Sequence, residues 1–137
     1  MSDLIKQARS LLLASSPVTD VVSSRVSAMY REQTDALPSI VLELDSVDPD
    51  AGTGLSGTAT MLRAEITVAC FSETLAVGID LAQKSAAALG GSRGTNSDGK
   101  QYAAAASISV DSVTTALSGK SSGPVFIEVD LELYLEV

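Results

Sequence analysis

The last thirteen residues, VFIEVDLELYLEV, alternate apolar and polar side chains almost without exception. Val125, Ile127, Val129, Leu131, Leu133, Leu135 and Val137 fall on one face of an extended chain, and Glu128, Asp130, Glu132 and Glu136 fall on the other. A period of two is the pattern of a strand with one side in a core and the other in water. A slip of one residue would bury the acids, so the register is strongly specified. Such a strand needs neighbouring strands and an apolar layer over one face only.

The rest of the chain supplies both. Residues 39–47 place Ile40, Leu42 and Leu44 opposite Glu43 and Asp45; residues 58–71 place Leu62, Ala64, Ile66, Val68 and Cys70 opposite Arg63, Glu65 and Thr67. Both read as half-buried strands. Leu4, Ala8, Leu11 and Leu12 recur at helical spacing, predicting a helix over residues 3–15. Ser16-Pro17 restarts the chain, with Ser16 as cap, into a short helix over 17–23, followed by a brief strand at 26–30. Ser72 and Glu73 open a helix to about Leu89, with Leu75, Ile79, Ala82, Ala86 and Leu89 along one stripe, and Gly90-Gly91 ends it. Residues 92–100 are turn-rich and read as a mobile loop. Residues 105–118 and 124–136, joined through Gly119 to Gly123, read as a C-terminal β-hairpin.

The order predicts a single α+β domain over residues 1–137, with a largely antiparallel sheet of four to five strands and helices packed on one face. At 137 residues the chain is long enough to bury roughly two-thirds of its unfolded surface. Three strand candidates exceed the usual five or six residues, so parts of them are expected to project towards a partner subunit. No apolar run is long enough for a membrane span, and the opening residues lack the pattern of a secretory signal, so folding in the cytoplasm is expected.

Several motifs weaken on inspection. The glycines of GTGLSG, residues 52–57, have the G-x-G-x-x-G spacing, but a strand rather than a helix follows, so no helix N-terminus receives a phosphate. Asp45, Asp48 and Asp50 cluster near the same turn; a calcium loop starting at Asp48 would need glutamate at position 59, which is Ala59. A solvated acidic loop is expected there, with a weak cation site or a partner contact as the alternatives. The chain has no histidine, which excludes Ser-His and Cys-His pairs and histidine-ligated zinc. Cys70, the single cysteine, sits on an apolar strand face and reads as structural. No cofactor or resident metal is expected.

Nine basic against seventeen acidic residues give a net charge of −8, the wrong sign for gripping a phosphate backbone. Glu128, Asp130 and Glu132 stand at successive separations of roughly 6 to 7 Å along one strand face, a range that includes paired glycosidase carboxylates. Alternation alone produces that spacing, and no substrate platform accompanies it. The face is expected to meet solvent or another subunit, with Arg63 as an ion-pair partner within or between subunits. Phe126 and Tyr134 share that face and are covered either by loops of the same chain or by a neighbour. Arg93, Lys100 and Lys120 lie in turn-rich segments and complete the candidate partner surface.

The opening helix with LLLASSPVTDVVSSRV, the strand LPSIVLELDS, the unit RAEITVACFSETLAVGIDLAQKSAAAL and the closing VFIEVDLELYLEV together make the chain resemble the tail terminator and tail completion proteins of long-tailed bacteriophages and phage-like particles. The resemblance implies a non-enzymatic virion protein, assembled in the host cytoplasm as a ring, commonly a hexamer. It implies a place at the head-proximal end of the tail tube, where the ring stops polymerisation and joins the head connector or head-completion protein, with DNA only in transit through the lumen. The segments around residues 48–57 and 91–101 become candidate contacts with tube or connector. A head-completion or other neck-ring subunit is the alternative, and a small-ligand binding or catalytic domain a more distant one.

Overall fold

A computed structural model describes residues 3–29, 36–49, 61–118 and 124–136. Two helices, α1 (Asp3–Leu13) and α2 (Ser16–Val22), precede β1 (Val26–Ala28), β2 (Ser39–Pro49) and β3 (Met61–Ser72). Then come α3 (Leu75–Leu89), β4 (Arg93–Thr95), β5 (Gln101–Ile108), α4 (Val110–Ser118) and β6 (Val125–Glu136). The strands form one sheet in the order β1-β2-β3-β6-β5-β4. Only β1 and β2 pair in parallel; every other pair is antiparallel.

The sheet is built around β3 and β6, which pair residue for residue from Met61 opposite Glu136 to Ser72 opposite Val125. Opposed residues share a face, so Ala64, Ile66, Val68 and Cys70 of β3 and Ile127, Val129, Leu131, Leu133 and Leu135 of β6 enter one core. Leu4, Ala8 and Leu12 of α1, Val18 and Val22 of α2, and Leu81, Ala82 and Leu89 of α3 cover that face. The α+β architecture with helices on one side is as the alternation predicts.

The α2 start differs in detail from the expected Ser16 cap: Ser15 is the cap residue, extended at φ −93° and ψ 113°, with no side-chain capping bond, and Pro17 lies in the first turn where its missing N–H costs nothing. Helix α3 begins at Leu75 rather than Glu73, because the Thr74 hydroxyl accepts from the Val77 N–H at 3.3 Å.

Two segments correct the sequence reading. Residues 92–100 form an ordered short hairpin, not a mobile loop. β4 pairs with Gln101–Ala103, the Asn96 side-chain oxygen accepts from the N–H groups of Asp98 and Lys100, each at 3.0 Å, and Gly99 supplies φ 78°. The Asn96 amide also donates to Gln7 of α1 at 3.0 Å, tying the turn to the first helix. Residues 105–118 are not one strand: β5 spans Gln101–Ile108, and α4 follows. Ser109 caps α4, its hydroxyl accepting from the Ser112 N–H at 3.3 Å. The β-branched run Val110, Val113, Thr114 and Thr115 favours a strand by propensity, but Val113 and Ala116 meet the core at helical spacing. Six strands replace the expected four to five because the three-residue β4 escapes the periodicity, whereas the brief strand expected at 26–30 is present as β1. The expected hairpin partner of the last strand is present, as β5, with a helix in the connection. The GTGLSG glycines, Asp50 and Lys120 lie outside the described residues.

Leu133→Ala removes a fully buried side chain from the central pairing and is expected to cost about 2–5 kcal/mol in urea unfolding. Leu117→Ala on α4, where the side chain is 65% exposed, is expected to stay within about 0.5 kcal/mol of the parent.

Candidate functional site: the open face of the sheet

Alternation that sends leucines and isoleucines into the core sends the remaining side chains of β2, β3, β5 and β6 to the opposite face. The strand register arranges them in rows. Ser39, Phe71 and Phe126 form the first, and Val41, Ala69 and Glu128 the second. Glu43, Thr67, Asp130 and Ser107 form the third. Ser46, Glu65, Glu132 and Ala105 form the fourth, and Asp48, Arg63, Tyr134, Ala103 and Arg93 the fifth. Alternation places Asp45 on this face beside Glu43, where its carboxylate accepts from the Thr67 hydroxyl at 2.6 Å, and a bulge between Leu44 and Ser46 shifts the phase so that Ser46 and Asp48 reach the same face. The face is therefore banded, with aromatic rings at one end, carboxylates across the middle and a row bearing two arginines at the other end.

At the aromatic end the Phe71 and Phe126 rings lie 5.5 Å apart, centre to centre, tilted by 34°. Phe126 is 46% exposed, so neither α4 nor any other described element encloses it. In the acidic band, Asp45, Glu65, Asp130 and Glu132 line a trough of about 430 Å³ whose floor includes the small side chains of Ala105 and Ser107. Arg63 is the ion-pairing cation here, with Nε 3.2 Å from Glu132 and Nη2 3.4 Å from Glu65.

These contacts separate the carboxylates electrically. Tyr134 donates a short hydrogen bond to Glu132, and together with the Arg63 hydrogen bond and charge this lowers the Glu132 pKa. The same pairing raises that of Arg63. Glu128 has no such help: partial burial first, then the like charges of Asp130, Glu43 and Asp45, push its pKa up. A raised and a lowered carboxylate are the ingredients of acid–base chemistry. Here they are four residues apart along one strand, about 13 Å, beyond the separations used by either class of glycosidase.

The face brings together Asp45, Asp48, Arg63, Phe126, Glu128, Asp130, Glu132 and Tyr134. Arg93 sits at its β4 edge, and Lys100 lies in the β4–β5 turn. Glu43, Glu65 and Phe71 also belong to it. The polar alternation of their strands pointed to Glu43 and Glu65, but their proximity to β6 depends on register. Cys70 lies on the core side, with Sγ 3.8 Å from the Ser85 hydroxyl, and burial pushes its thiol up to about 12. Among the described residues no cluster of metal-ligating side chains is present, and no helix is long and apolar enough to cross a membrane.

The fold and site thus define an α+β domain whose mixed sheet is backed by helices on one side and presents a banded, acid-rich surface on the other. No family model and no curated protein matches the sequence. Among solved structures, the chain is similar to a chain of the virion of a native gene transfer agent particle, with a TM-score of 0.54 and 13% identity. The match covers 99% of this chain and 98% of the other, so the two share a fold from end to end.

The Glu128 shift carries a sign. A carboxyl whose folded pKa exceeds its unfolded value destabilises the fold when ionised, and that penalty vanishes once pH falls below the unfolded pKa. Glu128→Gln is therefore expected to raise Tm at neutral pH, with the advantage disappearing in acid. Glu132→Gln is expected to act oppositely, lowering Tm at neutral pH and converging with the parent as pH falls. Thermal scans from neutral pH to below the carboxylate range check both. Cys70 is expected to resist thiol reagents at pH 8 in the folded protein and to react fully in denaturant.

Proposed function

We propose that the protein is a structural component of a phage or phage-like particle: a subunit of a ring, commonly a hexamer, at the head-proximal end of the tail. There it stops tube polymerisation and presents the surface for head joining. The observation that carries the reading is the end-to-end fold likeness to a chain of a gene transfer agent virion. The resemblance of the helix and strand segments to tail terminators supports the finer assignment.

The open face suits this role without covalent chemistry. A buried, unreactive thiol, and a raised and a lowered carboxylate that stand too far apart to act as a pair, fit a contact surface better than an active site. The acids of this face meet either a neighbouring subunit or the channel; those that line the channel, in a ring whose six copies bring six times −8 formal charges, repel DNA phosphates and keep the passage free of adhesion. The partners are then other copies of the chain, the tube protein and a connector or head-completion protein.

Deleting the gene from a producing strain and imaging the particles by electron microscopy tests the role. The expected product is tails of uncontrolled length that fail to join heads. Tails of normal length beside unjoined heads would move the protein to a neck ring, and complete, active particles would remove it from assembly.

A further inference from the structure

The described arginines differ in how they are used. Arg9 donates to the Val26 carbonyl at 3.0 Å, Arg25 to the Pro38 carbonyl at 2.9 Å and the Val21 carbonyl at 3.3 Å, and Arg63 pairs with Glu132 and Glu65. The Arg93 side chain is the one described arginine without a hydrogen bond or ion pair. It stands on the open face at β4, the last strand of the sheet, exposed among the uncharged Gly94, Thr95, Gln101, Tyr102 and Ala103. Beyond β4 no further strand pairs among the described residues, and an uncovered edge is a place for another chain.

The trough on the same face has the converse deficit. Arg63 serves Glu65 and Glu132, while the exposed Asp130 carboxylate makes no hydrogen bond or ion pair among the described residues. Small side chains on β5 leave a volume of about 430 Å³ there, enough to admit a guanidinium, whose planar fork matches carboxylate oxygens. Within one copy β5 stands between β4 and β6, setting Arg93 about 10 Å from the strand that carries Asp130.

We propose that Arg93 of one copy enters the carboxylate trough of a second copy, beside Asp130, so that the β4 edge of each subunit seats on the sheet face of the next. Charge complementarity selects the occupant. Chains of net charge −8 repel one another unless a cation leads the approach, and Arg93 is the unpaired cation that the sheet edge presents. Unlike surfaces on one protomer give a head-to-tail contact, which closes into a ring when the rotation divides a full turn. The inference rests on the ring reading above and adds the contact that builds it.

Arg93→Glu, Asp130→Lys and the double reversal are compared with the parent by sedimentation and native mass spectrometry over rising concentration, at low and high salt. Circular dichroism checks that each is folded; both sites are exposed, so folding is expected to survive. The parent is expected to assemble, each single reversal to weaken assembly at least about tenfold, and the double reversal to restore it to within about threefold. An equimolar mixture of the two single reversals is expected to assemble with the two chains alternating. Arg93→Gln and Asp130→Asn are expected to give milder losses. A parent that stays monomeric at every concentration overturns a contact between copies, whereas the virion role is decided by the gene deletion. Single reversals that assemble like the parent, or a double reversal as weak as the singles, overturn the Arg93 pairing and leave the ring reading standing.

Discussion

The pairing of β3 with β6 is the constraint on which the other elements depend. Twelve consecutive residue pairs, without a register shift, hold the two longest strands together, and each strand has a free edge on which β2 and β5 add. Ile66 lies opposite Leu131, Val68 opposite Val129 and Cys70 opposite Ile127, so the paired strands present one continuous apolar surface to the helices. Helices α1, α2 and α3 then have one place to bury their stripes. The polar rows on the far side follow from the same pairing, because a strand that buries Leu131 and Leu133 must turn Asp130 and Glu132 outward.

The magnitudes bear on whether the acidic band serves the fold. Burying one leucine or isoleucine contributes about 1.5–3 kcal/mol, whereas a cross-strand like-charge contact costs a few tenths to about 1 kcal/mol. A core holding Ile66, Ile127, Leu131 and Leu133 can therefore tolerate Glu65 directly opposite Glu132, with Arg63 offsetting part of the repulsion. The repulsion that raises the Glu128 pKa has no described cation to offset it. Beyond the Glu132 contacts with Arg63 and Tyr134 and the Thr67–Asp45 hydrogen bond, such a band adds little to the stability of an isolated chain, and its use lies in what meets the face from outside.

Much of this was legible in the sequence, to the extent that periodicity carries the information. The strict alternation of residues 125–137 and the apolar stripe from Leu75 to Leu89 yield β6, α3 and the side of the sheet on which the core lies. The β4 hairpin was not legible in this way: three residues show no period, and its order comes from the Asn96 side chain and Gly99 acting on the turn. Helix α4 was hidden by β-branched residues whose strand preference yields to the Ser109 cap and the packing of Val113 and Ala116. The site divides along the same line. The charged residues on each strand could be read locally, but the trough depends on β2, β3, β5 and β6 being neighbours, and the Phe71–Phe126 contact on their register.

The β4 edge of the sheet shows how a chain with long strands can form a directed contact there without templating a long added strand. Strands β3 and β6, of twelve residues each, lie inside the sheet; on one side the three residues of β1 cover only Ile40–Leu42 of β2, and on the other the sheet ends in β4, of three residues. A three-residue edge offers too few backbone groups to template a long added strand. Association at such an edge must draw its selectivity from side chains, and at β4 the charged side chain is Arg93. In the proposed contact, the opposing polarity of that edge and the acidic face sets one copy head-to-tail on the next, an arrangement that closes into a ring when the rotation per subunit divides a full turn and runs on as a filament when it does not.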